Sequence, residues 1–125
     1  MIIGTGIDVV ELGRMSAELA RGEWAPDRGP FTPSEVRYCN SQPRPAQSYA
    51  ALFAAKEAAL KALGAEIPDL AIFREAEVTC GDRGPQSIAL HGRLENISVQ
   101  LGARHINLST VVGKKFAGAI VILEA

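Results

Sequence analysis

Cysteine is scarce in this chain. Cys39 and Cys80 are its only two among 125 residues. Neither stands at a metal-binding spacing from a partner, so zinc modules and a disulfide framework are not indicated. An excess of one charge is lacking too: 13 Lys and Arg face 14 Asp and Glu, for a formal net charge of −1. That balance gives no general affinity for nucleic acid or for an anionic membrane. No apolar run approaches the roughly 20 residues that span a bilayer. The N-terminus has no basic segment followed by an apolar stretch, so a cytoplasmic protein is expected. Repeats and low-complexity tracts are absent, and the length suits a single domain over residues 1–125, able to bury roughly two thirds of its unfolded surface.

What is present in strength is one helix. From Tyr49 to Gly64 nearly every position is Ala, Leu, Lys or Glu, the residues that lose least entropy in a helix. Gly64 supplies the left-handed residue that commonly ends one. On a helical wheel Tyr49, Leu52, Phe53, Leu60 and Leu63 form an apolar stripe, and Lys56 falls in its middle, where a charge needs a partner. Two arrangements are open: Lys56 snorkels past its neighbours while Glu57 and Lys61 pair on the surface, or these charges meet an acidic group from elsewhere.

The opening run Met1-Ile-Ile-Gly-Thr-Gly-Ile-Asp-Val-Val10 predicts a buried strand, with Gly4, Gly6 and Asp8 on one alternation face. Asp8 in such a run requires a partner or a cation, unless it caps the following helix. Gly4-Thr-Gly6 is not a dinucleotide fingerprint, because Val9 stands where a third glycine is needed. A short helix over 11–21 buries Leu12, Met15 and Leu19 and exposes Arg14 and Arg21 on one side. Residues 22–31 read as a loop. Thr32-Pro33-Ser34-Glu35 is a capping box with proline at the first helical position. Beyond Gly64 the pattern predicts a hairpin joined by five residues, Gly81 to Pro85, then a helix near 93–102, a strand over 105–109, and a central strand from Phe116 to Leu123. His91 and His105 read as structural. The fold class is α+β: a small, mostly antiparallel sheet packed against one long helix and several short ones.

Several of these stretches carry a resemblance. The opening Gly4-Thr-Gly-Ile-Asp-Val-Val-Glu-Leu-Gly-Arg-Met15, the helix start Phe31-Thr-Pro-Ser-Glu35, and Phe53-Ala-Ala-Lys-Glu-Ala-Ala-Leu-Lys-Ala-Leu-Gly64 resemble the holo-acyl-carrier-protein synthases. These are the compact group of the phosphopantetheinyl transferase superfamily. Order and spacing match over nearly the whole chain. The resemblance implies transfer of 4′-phosphopantetheine from coenzyme A to a serine of an acyl carrier protein. It implies a Mg2+ held by Asp8 and Glu57, with Glu57 and Lys61 catalytic and the base being Glu57 or a water. Lys56, Lys61, Pro85, Ser109 and Thr110 are implied coenzyme contacts, with Lys56 facing the coenzyme rather than the core. Arg14 and Arg21 are implied docking residues for the carrier protein, and a homotrimer is implied, with no nucleic acid or membrane as partner.

The chain also departs from the family pattern. Leu52 stands where an arginine usually precedes the Phe-Ala-Ala-Lys-Glu segment. Asn107-Leu-Ser-Thr110 replaces a Ser-x-Ser-His-like motif, and Arg83 stands where a glycine is common. Retained metal ligands with altered coenzyme contacts describe a divergent member. A non-catalytic paralogue that binds carrier protein or an active partner is the alternative.

Overall fold

A computed structural model describes residues 1–22, 24 and 29–125. Of the expected loop over 22–31, residues 23 and 25–28 lie outside the described residues. The order is β1 (Ile2–Glu11), α1 (Leu12–Ala20), α2 (Pro33–Asn40), α3 (Pro45–Leu63), a 3-10 turn (Leu70–Glu75), β2 (Ala76–Gly81), β3 (Gly84–Leu90), α4 (Gly92–Leu101), β4 (His105–Val112) and β5 (Phe116–Glu124). The strands form an antiparallel sheet in the order β1-β5-β4 and a separate β2-β3 hairpin. The α+β expectation holds, divided between two small sheets.

The long helix ends where the sequence indicates, with Gly64 left-handed at φ 66°. It lies across the inner face of the three-stranded sheet, and small side chains set how closely. Ala50, Ala51, Ala54, Ala55, Ala58, Ala59 and Ala62 are all buried along it. Opposite them β1 offers Gly4 and Gly6. A Cβ at Gly6 would fall on the carbonyl oxygen of Ala58, and one at Gly4 on that of Ala62. Glycine here serves close backbone approach rather than a turn.

Strand β1 differs from expectation in being buried on one face only. Ile7 and Val9 are each 61% exposed, while Gly6 is buried and Asp8 half-buried. The strand sits at the sheet edge and nothing among the described residues covers its outer face, which continues through Ile120 and Phe116 of β5 and Val111 of β4. Strand β5 is central as expected, and its inward residues Ala117, Ala119, Val121 and Leu123 join the core. The hairpin is tighter than expected. Gly84 at φ 95° lets Asp82 and Arg83 alone join the strands, and a register shift after Thr79 absorbs the extra residue. Likewise β4 runs on to Val112, because Val111 and Val112 pair with Gly118 and Ala117.

The capping box of α2 does more than start a helix. Glu35 accepts from the Thr32 amide at 2.8 Å and Thr32 Oγ1 from the Glu35 amide at 3.3 Å. The same carboxylate accepts from the Val78 amide at 2.7 Å and meets Lys56 Nζ at 2.7 Å. Lys56 donates further to the carbonyls of Phe73 and Ala76, each at 2.9 Å. An ammonium has three protons to give, and all three are committed. This corrects the expectation that Lys56 either snorkels or faces the coenzyme: its side chain is 0% exposed. Burial pulls its pKa down, and the Glu35 carboxylate opposes that shift. Around the pair stand the aromatics, Trp24 stacked on Phe53 at 5.1 Å, Phe53 on Phe73 at 5.0 Å, and Phe31 against Tyr49 at 4.9 Å.

Lys56→Met leaves the Glu35 carboxylate buried without its cation, and stability in urea should drop by about 3–5 kcal/mol. Unchanged stability with a raised KM for coenzyme A would instead return Lys56 to the substrate.

Candidate functional site

The close approach of α3 to β1 brings two carboxylates together. Asp8 points inward with Gly4 and Gly6, and Glu57 lies on the helix flank that faces it; the two side chains share a hydrogen bond. Lys61, one turn beyond Glu57, donates to Asp8 Oδ1 and to the Ile7 carbonyl, both at 3.0 Å. So the ion pair Lys61 makes is with Asp8 across elements, rather than along its own helix. Asp8 does not cap α1: the cap position is Glu11, which makes no side-chain capping bond.

Burial first, then the neighbouring Asp8 charge and the shared hydrogen bond, together raise the Glu57 carboxyl to a pKa of about 7, with Lys61 and Arg14 pulling against them. A group held near neutrality beside a second carboxylate is the arrangement expected of a proton-transfer or cation site. Among the described residues no group of three or more His, Cys, Asp or Glu side chains could hold a metal ion. A cation here would have two protein carboxylates and would need its remaining ligands from solvent or substrate, which is how magnesium is commonly bound.

The pair opens into a cleft of about 480 Å³, walled by Met15, Trp24, Phe53 and Phe116 and rimmed by Arg14 and Glu18. Arg14 is well exposed and pairs with Glu18 at 3.3 Å. Arg21 is exposed at the C-terminal end of the same helix.

The remaining expected residues lie elsewhere. Pro85 and Thr110 line a second cleft, of about 250 Å³, together with Leu52 and Arg83. Ser109 points the other way on β4, into a shallow groove with Ile7, Val9 and Ile120 on the outer sheet face. The first and second clefts share no lining residue. Five residues of helix separate Leu52 from Glu57, which turns them roughly 140° apart. Neither of these two clefts therefore holds Pro85 and Thr110 together with Asp8 and Glu57, although Asp8 and Thr110 flank Ala119 across the sheet. The residues that sequence reasoning missed are Trp24, Phe53 and Phe116 in the cleft wall. Phe53 reads as ordinary core, Trp24 falls in the expected loop over 22–31, and Phe116 reads as the start of the central strand.

The family profile of the 4′-phosphopantetheinyl transferase superfamily matches residues 4–121. A holo-[acyl-carrier-protein] synthase from Geobacter sp. (strain M21) is 42% identical, with 99% of each chain covered. One from Koribacter versatilis (strain Ellin345) is 38% identical at the same coverage. The crystal structure of the Neisseria meningitidis holo-[acyl-carrier-protein] synthase matches with a TM-score of 0.84 at 28% identity, covering 100% of both chains. That of a Bacillus anthracis holo-(acyl-carrier-protein) synthase in complex with CoA (3′,5′-ADP) matches at 0.76 with 32% identity, covering 100% of this chain and 98% of that one.

The raised Glu57 pKa has a sign in stability. The folded state holds this proton more tightly than the unfolded chain, whose Glu titrates near 4.5. The stabilisation is complete below 4.5 and lost as pH rises to about 7. In protein free of divalent cation, thermal melts should show this decline, and Glu57→Gln should remove it. An unchanged pH dependence in that variant would assign the effect to another group.

Proposed function

The chain belongs to the 4′-phosphopantetheinyl transferase superfamily, and on that premise we propose that it moves 4′-phosphopantetheine from coenzyme A to a serine of an acyl carrier protein. The observation that carries this reading is the Asp8–Glu57 pair with Lys61 fixed over it. A purely structural protein gains nothing from two carboxylates held in hydrogen-bond contact, since like charges repel unless a proton or cation joins them. That argues against a non-catalytic paralogue.

Asp8 and Glu57 fit a hard divalent cation, and Mg2+ suits them because it takes one or two carboxylates with phosphate and water. When bound, it neutralises charge on the pyrophosphate and on the departing 3′,5′-ADP. Lys61 spends two of its three protons on Asp8 and Ile7 and is 54% exposed. Its third proton is available to a phosphate oxygen. Glu57 or a water is the acceptor for the serine proton. The serine Oγ–phosphorus bond forms, the phosphorus–oxygen bond to 3′,5′-ADP breaks, and the proton passes to that acceptor.

The coenzyme's other contacts, Pro85, Ser109 and Thr110, belong to a site assembled between copies. Two observations support a homotrimer of this kind: the separation of the two clefts, and the exposed apolar outer face through Ile7, Val9, Val111 and Ile120. Arg14, at the rim of the first cleft, and Arg21 are the cations that an acidic carrier protein would meet on docking. This chemistry belongs to cytoplasmic fatty acid and lipid biosynthesis.

Incubation with coenzyme A, Mg2+ and an apo carrier protein, read by intact mass, tests the reading directly. The carrier should gain one phosphopantetheine, and Asp8→Ala should slow the gain on the order of a hundredfold to a thousandfold with its fold intact. Near-native rates from Asp8→Ala at saturating Mg2+ would overturn the carboxylate assignment. A sedimentation mass of one chain at micromolar concentration would overturn the trimer.

A further inference from the structure

Asp8 is already paired with a cation, and that cation belongs to the chain. Lys61 Nζ stands 3.0 Å from Asp8 Oδ1 and 3.0 Å from the Ile7 carbonyl oxygen. A carboxylate oxygen and a backbone carbonyl oxygen are hard donors of the kind a divalent ion takes, and here an ammonium holds them. The Asp8 side chain is only 12% exposed, so little water screens the contact. Lys61 is 54% exposed, at the end of a flexible stem. Arg14, at the rim of the cleft, has its guanidinium engaged by Glu18 at 3.3 Å instead.

This lysine could act on a divalent ion with either sign. Ordering the Asp8 side chain would help the ion to bind, and placing a positive charge on one of its two carboxylates would oppose it. Asp8 is held without Lys61: β1 pairs it with Ala119 of β5, and its side chain shares a hydrogen bond with Glu57. The lysine therefore adds little order, while its charge stays in direct contact. We propose that Lys61 is a tethered counter-ion that weakens divalent-cation binding to the coenzyme-free protein and makes that binding depend on the coenzyme. The inference rests on the coenzyme reading above and deepens it. A pyrophosphate beside the same carboxylates gives the Lys61 ammonium an anion to answer and offers oxygen ligands of its own. Cation and coenzyme then each raise the affinity for the other, and by linkage they do so by the same factor. Two bare carboxylates would be a standing site for any hard divalent ion. With Lys61 on one of them, the pair waits for the ion and the coenzyme together.

Mn2+ is the probe, because electron paramagnetic resonance counts its free form without turnover. The buffer is kept alkaline enough for both carboxylates to be charged. Lys61→Met removes the charge and keeps most of the stem, and Lys61→Arg keeps the charge. Without coenzyme, Lys61→Met should bind Mn2+ roughly tenfold more tightly than the wild type, and Lys61→Arg should stay close to the wild type. Coenzyme A should tighten Mn2+ binding to the wild type by roughly tenfold or more, and by clearly less in Lys61→Met. Unchanged or weaker Mn2+ binding by coenzyme-free Lys61→Met would overturn the proposal, the weaker result making Lys61 a residue that orders Asp8. Adding Asp8→Asn separates this outcome from the reading beneath it. Mn2+ binding that survives Asp8→Asn would overturn the carboxylate site itself. A gain in Lys61→Met that Asp8→Asn abolishes upholds the role of Lys61, even where no transfer to a carrier protein is observed.

Discussion

The fold depends on how closely α3 can approach β1. That distance is set by missing atoms: Gly4 and Gly6 have no Cβ, and Ala58 and Ala62 present little beyond their backbone. A helix separated from this strand by larger side chains would leave Asp8 and Glu57 apart, each solvated and each with an ordinary acidity. Drawn together, they partly exclude water, share a hydrogen bond, and hold Glu57 near neutrality. Lys61 then reaches across the narrow seam to Asp8 and the Ile7 carbonyl. The chemistry of the site follows from a packing distance.

A second constraint fixes how α3 is turned about its own axis. Lys56 precedes Glu57 and is bound on the side of the helix that faces the core, by Glu35 of α2 and by the carbonyls of Phe73 and Ala76. Burying two charges carries a desolvation cost of several kcal/mol each, recovered only when geometry and extra hydrogen bonds are good. Here both conditions are met: Glu35 serves two backbone amides and the ammonium, and no buried side-chain polar atom among the described residues lacks a partner. The result joins α2, α3, the 3-10 turn and β2 at one point. Lys56 and Glu57 are neighbours with separate tasks, one holding the helix and the other facing the substrate.

Much of this was legible in the sequence where the signal is local. The capping box at Thr32–Glu35, the glycine stop at Gly64 and the alternation in β1 are short-range patterns, and each appears as read. Long-range pairing was not legible. Nothing near Lys56 in the chain indicates that Glu35 will meet it 21 positions away, so a buried ion pair looked like a surface or substrate cation. The outer face of β1 looked buried because Ile7 and Val9 are apolar, yet apolar composition does not say whether a cover comes from the same chain or from another copy. Leu52, Arg83 and Thr110 could be seen as departures, but their convergence on one cleft appears only once the hairpin turn folds over α3.

The central claim is that glycine-permitted packing makes the carboxylate pair. A carbon-13 NMR titration of the Glu57 side-chain carboxyl in cation-free protein tests it most directly, in the wild type and in Gly6→Ala. The account predicts a midpoint of about 7 in the wild type. In Gly6→Ala the added methyl meets the Ala58 carbonyl oxygen and forces α3 outward, so the midpoint should move down toward the usual carboxylate range. A wild-type midpoint already in that range, or one near 7 that the substitution leaves in place, would contradict it.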